Sequence, residues 1–301
     1  MITATISTYN REKYLPQVLD SLKRQTLSKK LFEIVLVDNN SPGNTKQIAD
    51  EFKKNNPNIE FRYCLETNQG LSYGRNRGIK EAKGKFITFI DDDAFLADDY
   101  LEVIYNYFEN NKDVVAIGSK ILLHYEDIVP TWENKYLNSL LGYFNIGDEV
   151  KEFPKNDYPR GSNMSFKTTA FEKVGGFNVD LGRVGGNLAG SEEKDMFQRI
   201  YKYPELKVMY IPDAIVYHCV PLERTTTDFI KRQALGTGKS ERTRIKNEGL
   251  ASIAKRHFLE LIKWGGSIAL FFIYLFKGQP AKGKMIVKFR WWVSKGLFFD
   301  K

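Results

Sequence analysis

Cysteine is scarce in this chain of 301 residues, which has 2, Cys64 and Cys219. That excludes a disulfide scaffold, and their separation fits no zinc-site spacing. The N-terminus, Met1-Ile2-Thr3-Ala4-Thr5-Ile6, lacks the basic stretch of a cleavable signal peptide, so a protein on the cytosolic side is expected. No phosphate-binding Walker loop is present, and no G-x-G-x-x-G follows the first strand, so a nucleotide triphosphatase or a dehydrogenase would lack its motif. With 42% hydrophobic and 27% charged residues, the chain is also no disordered one, and its length supports a sizeable core.

Acidic charge is missing from one end only. Residues 251–301 hold 10 Lys+Arg against 2 Asp+Glu, which accounts for the whole net charge of +8. The first 250 residues, with 35 of each sign, are neutral. A nucleic-acid-binding enzyme would more often spread basic charge over a face of its body. No nucleic-acid partner is therefore expected, and the asymmetry points first to a membrane surface or another local partner.

The first part alternates strands and helices. Thr3–Ser7, Ile34–Val37, Ile59–Leu65 and Phe86–Ile90 read as strands, and Arg11–Leu27, Lys46–Lys54 and Tyr73–Ala82 as helices. The continuous apolar runs Ile34-Val35-Leu36-Val37 and Phe86–Ile90 suit parallel strands covered on both faces. The order predicts an α/β fold with a doubly wound, mostly parallel sheet. Each strand ends in a polar cluster: Thr8–Arg11, Asp38–Ser41, Glu66–Gly70 and Asp91–Asp93. Ligands of open α/β sheets bind at the carboxyl ends of strands, so four such ends predict one shared cleft. Three consecutive aspartates repel one another unless a cation is present, and hard carboxylate oxygens suit Mg²⁺ or Mn²⁺. Asn68–Gly78 is glycine-rich and carries Arg75 and Arg77 at a helix start, suited to a diphosphate.

Together these segments resemble the family 2 glycosyltransferases of the GT-A (Rossmann-like) fold, over roughly residues 1–220. The likeness rests on Thr8-Tyr9-Asn10-Arg11, Val37-Asp38-Asn39-Asn40-Ser41, Asn68-x-Gly70-x-x-x-Gly74-Arg75-Asn76-x-Gly78 and Phe89-Ile90-Asp91-Asp92-Asp93. One departure is Gly74, where the family often has alanine. The resemblance implies hexosyl transfer from a nucleotide-diphosphate sugar, UDP-sugar favoured, with inversion at the anomeric carbon. It implies that Tyr9 stacks on the base, Asp38 hydrogen-bonds it, Arg75 lies near base or diphosphate, and Asp91 contacts the ribose or the metal. Asp93 would be the main ligand of a Mn²⁺ or Mg²⁺ ion, in the manner of a DxD motif. The implied donor set is Ser7, Thr8, Tyr9, Asn10, Arg11, Asp38, Asn68, Gly70, Arg75, Asp91, Asp92 and Asn163, the last from the Arg160–Phe166 segment. The implied metal set is Asp91, Asp93 and His218.

The second half supplies an acceptor side. Residues 114–122 read as a strand, and 123–160, with Trp132, Tyr136 and Tyr143, serve equally as an acceptor wall or an ordinary insertion. Glycosyl transfer needs a general base for the acceptor hydroxyl. The acidic segment Gly190–Ile200 offers Glu192, Glu193 and Asp195. On a helix Glu193 shares a face with Phe197 and Ile200 and so faces the covered side, which would raise its pKa; Asp195 can pair with Arg199. Aligned to the family motif, Glu193 takes the place of the catalytic aspartate, with Glu192 and Asp195 as alternatives. Strands 208–211 and 214–217 lead to His218. Arg224, Lys231 and Arg232 could clamp a diphosphate. Gly236-Thr237-Gly238-Lys239-Ser240 lacks the first glycine of a phosphate loop and a preceding strand, and reads as a mobile active-site loop.

Domain limits are expected at 1–222 for the catalytic domain (nucleotide half 1–110, acceptor half 111–222) and 223–301 for a helical extension. The extension contains Trp264–Phe276, an apolar run of 13 residues, shorter than the ~20 that a spanning helix needs. Basic residues flank it, Trp264 opens it, and a second stretch, Met285–Phe299, mixes Lys288, Arg290 and Lys295 with Trp291 and Trp292, as in helices that lie in a membrane interface. A helical cap or a homodimer interface is the competing use. The expectation is a peripheral enzyme of glycan or polysaccharide synthesis on the inner face of the cell membrane, with a glycan or lipid-linked acceptor. A nucleotidyltransferase would instead need a glycine-rich loop where Thr8-Tyr9-Asn10 stands. A non-catalytic nucleotide-sugar or lipid-binding protein would not need the acid set.

Overall fold

The computed structural model describes residues 1–183, 191–246 and 250–299. Gly190, at the head of the acidic segment, lies outside the described residues.

The chain divides into two compact units. The first comprises residues 1–122 and 144–218. It opens with β1 (Ile2–Thr8), α1 (Leu15–Lys23), β2 (Phe32–Asp38), α2 (Thr45–Asn55), β3 (Glu60–Leu65), α3 (Leu71–Glu81) and β4 (Phe86–Asp91). The predicted helix over 11–27 is shorter at its start because Pro16 must sit in the first turn, where its missing N–H costs nothing. Then come β5 (Ala94–Leu96), α4 (Tyr100–Asn110), β6 (Val114–Tyr125), β7 (Lys151–Glu152), β8 (Met164–Lys167), α5 (Thr169–Val174), α6 (Glu192–Ile200) and β9 (Lys207–Val220).

Among the described residues one mixed sheet runs β3-β2-β1-β4-β8-β6-β9-β5, with β7 on β9. β3, β2, β1 and β4 are parallel, whereas β8 joins β4 antiparallel and begins an antiparallel half. β2 is buried from end to end, as expected for a parallel strand covered on both faces. The two strands expected over 208–217 are one. Pro212 does not break β9, because it falls between the residues paired with β7 and those paired with β5.

The register aligns the strand ends. Thr8 lies beside Asp38, Asp38 beside Leu65, and Ser7 beside Asp91. An aromatic knot lies under this edge. Phe89 of β4 meets the rings of Phe166, Phe171 and Phe177 edge-on, at centroid distances of 5.9, 6.3 and 5.3 Å.

The second unit comprises residues 123–143 and 219–301. The division thus falls after His218, and segment 123–143, placed by the sequence in the acceptor half, belongs with the C-terminal helices. These are α7 (Thr227–Lys246), α8 (Leu250–Phe276) and α9 (Pro280–Phe298). Trp132, Leu137 and Leu141 pack with Val220, Ile230, Met285 and Ile286 in a core of their own, and Trp132 Nε1 donates to the Thr225 carbonyl at 3.0 Å. Within this unit, Trp132, Leu137 and Leu141 of that segment are core, whereas Ile128, Val129 and Tyr136 are exposed.

The expected loop at Gly236–Ser240 is also corrected: it lies inside α7. A Cβ at Gly238 would strike the backbone of Val293 and Leu297, and one at Gly296 would strike the Leu235 carbonyl. These glycines let α7 and α9 approach backbone to backbone. The helix α8 is likewise longer than the apolar run within it, at 27 residues.

Phe89→Ala should cost about 3–5 kcal/mol by emptying the centre of the aromatic knot. Denaturant unfolding of the pure protein measures it, and a loss under ~1 kcal/mol would mean that the knot carries little of the fold.

Candidate active site

Each parallel strand delivers its last residue to one edge, and the loops beyond form a cleft of about 290 Å³. It is lined by Ser7, Thr8, Tyr9, Arg11, Asn39, Gln69, Gly70, Leu71, Arg75, Asp91, Asp92, Asp93, Arg183, Ser191, Glu192 and Glu193.

Arg75 forms its floor. It is 2% exposed, although an isolated charge at such depth would be costly. Three carboxylates compensate: Nη1 lies 2.8 Å from Glu192 Oε1, and Nη2 lies 3.5 Å from both Asp91 Oδ1 and Glu193 Oε1. The guanidinium also sits over the Phe177 ring at 5.3 Å. Burial alone would lower the Arg75 pKa, but the three acids more than offset it and the net shift is upward.

Helix α3 can place Arg75 there because its neighbours are small or bidentate. Gly70 has a φ of 140°, which a side chain would resist. A Cβ at Gly74 would stand 3.0 Å from Ser7 Oγ, so α3 lies close on β1. Asn76 donates to the Phe177 carbonyl and accepts from the Phe177 N–H, both at 2.8 Å, and Ser72 donates to the Leu181 carbonyl. The segment 177–181 is thereby tied to α3.

The carboxylates differ. Glu192 is 3% exposed, and its Oε2 has no hydrogen-bond partner among the described residues; Ser7 Oγ is in the same condition. Two buried polar atoms beside the cleft are thus left without partners among the described residues. The Glu193 side chain is 23% exposed, so Glu192, not Glu193, is the more covered of the two. The first turn of α6 is covered by Arg75 and by residues around Gly182 rather than by the helix's own apolar stripe. Burial nonetheless pushes the Glu193 carboxyl up to about 7, against the downward pull of Arg75. Gly161 presses on the same pair, since a Cβ there would collide with Glu193 Oε1 and Arg75 Nη2.

The aspartates at the end of β4 face different partners. Asp91 turns to Arg75, and burial, aided by Asp93, raises its pKa. Asp92 accepts the Tyr9 N–H at 3.4 Å and is pushed by burial up to about 7. Asp93 lies 3.5 Å from His218 Nε2 and 4.0 Å from Arg11 Nη2. The pairing of Ala94 with His218 across β5 and β9 brings that histidine in. Carboxylate oxygens and an imidazole nitrogen fit a hard divalent cation in type. As a set, however, Asp91, Asp93 and His218 do not converge, and among the described residues no three such side chains do.

Several expected site residues lie elsewhere. Asp38 sits beneath the cleft, accepting from Ser41 N and Tyr63 OH, both at 2.8 Å. Asn10, at a φ of 55°, gives its N–H to Ser41 Oγ, and Asn68 is held by Glu66 and Asn39. Asn163 is 1% exposed and accepts from Tyr100 and Ser119, so it serves the interior rather than the cleft. Asp195 pairs with Arg199 at 2.9 Å and does not line the cleft. Arg77 pairs with Glu81 at 2.9 Å, also away from the cleft lining. Arg224, Lys231 and Arg232 belong to the second unit. The reading of the sequence missed Asn39, which binds the Asn68 carbonyl and the Gly70 N–H at 2.6 and 2.8 Å and so shapes the rim. It also missed Gln69, Leu71, Arg183 and Ser191. Asn39 stood inside a quoted motif, and its place one residue after a buried strand was the available signal.

The profile described as glycosyl transferase family 2 matches residues 3–175. The chain belongs to that family. It is a glycosyltransferase, and its mixed α/β sheet is of the GT-A type. It is 29% identical over 244 residues to the glucosyl-dolichyl phosphate glucuronosyltransferase of Haloferax volcanii, covering 80% of this chain and 76% of that enzyme. Glycosyltransferase GlyA of Streptococcus pneumoniae is 27% identical over 217 residues, but the match spans only 29% of its length. Among solved structures, the mannosyltransferase PcManGT of Pyrobaculum calidifontis, in complex with GDP-Man and Mn²⁺, superposes with a TM-score of 0.61 at 17% identity, covering 100% of this chain and 88% of that one. Residues 1–349 of Staphylococcus aureus TarS with UDP-GlcNAc give 0.55 at 20% identity, covering 78% and 66%.

Arg75→Met would leave three acids without their shared cation and should destabilise the protein by about 3–5 kcal/mol near neutral pH. Acids whose folded pKa is raised destabilise the fold as pH rises between their unfolded and folded values. The variant raises Asp91 and Glu193 further, so its deficit should shrink from pH 8 to pH 5. Melting of both proteins at the two pH values tests this, and a deficit that grows on acidification would contradict the cluster.

Proposed function

We propose that this glycosyltransferase inverts the anomeric centre as it moves a sugar from a nucleotide-diphosphate donor, UDP-sugar favoured, to a hydroxyl of a glycan or lipid-linked glycan. The observation that carries the reading is the grouping of Asp91, Glu192 and Glu193 on buried Arg75, in a cleft formed at the carboxyl ends of four parallel strands. The protein would work in glycan or polysaccharide synthesis at the inner face of the cell membrane. The name of the Haloferax enzyme, whose acceptor is a lipid phosphate sugar, supports that direction.

In mechanism, Tyr9 and the Asp38 region receive the nucleoside, and Arg11 stands beside Asp93 on the diphosphate side. Glu193 takes the acceptor hydroxyl proton as the oxygen attacks the anomeric carbon in line. Its raised pKa suits that task, while Arg75 holds a share of it ionised. Glu192, bound more tightly to Arg75, positions the pair. A divalent ion held by Asp93 and His218 would offset charge on the departing diphosphate.

The direct test is melting with Mn²⁺ and each of UDP, GDP, dTDP and CDP. A rise with one nucleotide, lost on adding chelator and absent in Asp93→Asn, is expected. No rise with any of the four would move the protein to a reading without this donor site.

Turnover should increase with pH through about 7 and level above it, because the base acts ionised. Glu193→Gln should lose on the order of 10²–10⁴ in kcat while keeping the nucleotide shift. A flat kcat profile from pH 5 to 9, or normal turnover in the variant, would remove Glu193 from this role.

A further inference from the structure

Helix α8 is built inside out for a soluble protein. Its stretch Arg256–Phe276 has a mean hydropathy of 1.5, yet little of it is buried. The face turned inward carries Arg256, Glu260 and Ser267, all at most 5% exposed. Glu260 is met by Arg256 Nη1 at 2.7 Å, Ser294 Oγ at 2.8 Å and Arg290 Nη1 at 3.2 Å, and Trp264 Nε1 donates to the same serine. The face turned outward carries Leu261, Ile262, Ile268, Phe272, Ile273 and Phe276, between 46 and 86% exposed. Core helices of soluble proteins show the reverse pattern. Polar groups paired within the bundle and apolar groups outside are what a hydrocarbon solvent selects.

Helix α9 decides how such a helix would lie. It packs along α8 from Glu260–Ser294 to Phe271–Gly283, where a Cβ on the glycine would stand 2.9 Å from Phe271 Cα. Its outward residues are Lys284, Lys288, Trp291 and Lys295, spaced four, three and four apart on one face. Were α8 to stand across a bilayer, its partner would carry these lysines into hydrocarbon, which is expensive. Were α8 to lie flat, the lysines could reach phosphates while its apolar side sinks into the acyl boundary.

We propose that α8 and α9 form a docking hairpin for an anionic bilayer, with α8 lying sideways in the acyl boundary and Lys284, Lys288 and Lys295 on headgroup phosphates. Charge complementarity commits the surface to lipid rather than to a second copy, since a like-charged lysine face disfavours self-pairing. The inference rests on the membrane-side reading above but not on the transfer chemistry, so nucleotide-dependent melting and lipid binding fail separately.

The test is flotation of the full chain with vesicles of phosphatidylcholine, alone or with 30% phosphatidylglycerol. Flotation should favour the anionic vesicles. Phe272→Asp with Ile273→Asp should reduce it on the order of tenfold while leaving the nucleotide shift and the melting point in place, because both side chains are exposed. The triple change Lys284→Glu, Lys288→Glu, Lys295→Glu should remove the preference for phosphatidylglycerol. A Gln279→Cys thiol in the α8–α9 turn should react with impermeant maleimide added outside the vesicles; the native Cys64 and Cys219 are buried. Protection of that thiol would mean a spanning helix and overturn the flat arrangement. Flotation indifferent to the aspartates, or no flotation together with dimers in solution, would overturn lipid docking by this face.

Discussion

A buried guanidinium needs its counter-charges within a few ångströms, and most of the cleft can be understood as meeting that demand. Arg75 leaves water almost entirely, and three carboxylates from β4 and the first turn of α6 compensate. The demand propagates outward. Helix α3 must approach β1, which Gly74 permits. The 177–181 segment must close over the helix, which Ser72 and Asn76 secure. Position 161 must remain without a side chain, because the space that a Cβ would take belongs to Glu193 and Arg75. Lysine could not replace the arginine, since its point charge cannot hold Glu192 through one nitrogen and Asp91 and Glu193 through another.

The two units distribute their polar and apolar groups differently. The first buries apolar side chains under a sheet and keeps carboxylates for its open edge. The second also has an apolar core, around Trp132 and Ile230, but α8 adds a paired polar seam inside and an apolar surface outside. The neutral body and the basic tail seen in composition correspond to this division.

Periodicity made β1 to β4 and the helices between them legible, because each strand is bounded by its own polar cluster and β2 and β4 carry continuous apolar runs. The shared cleft followed from their ends. What could not be read depended on contacts far apart in sequence. The pairing that sets His218 next to Asp93 is a register between β5 and β9. Asn163 resembles a donor-site residue in its motif, yet Tyr100 and Ser119 claim it. The helical wheel of α6 correctly gave Asp195 to Arg199 but misjudged Glu192, because cover at that turn comes from α3 and the Gly182 neighbourhood. The glycines at 236 and 238 read as loop residues because a sequence does not reveal that one helix runs through both, or that α9 presses on Gly238. A 13-residue apolar run likewise understated α8, whose helix continues through the polar seam on its hidden side.

The second unit is assembled from two stretches that are not adjacent in the chain. Its core joins Trp132, Leu137 and Leu141 of the inserted segment to Val220, Ile230, Met285 and Ile286. A fragment cut after His218 would therefore keep the insertion but lose the residues it packs on, leaving a tryptophan and two leucines bare. Anyone seeking a well-behaved catalytic fragment has to remove 123–143 together with the tail and bridge β6 to Phe144, so the boundary of this enzyme is two cuts rather than one.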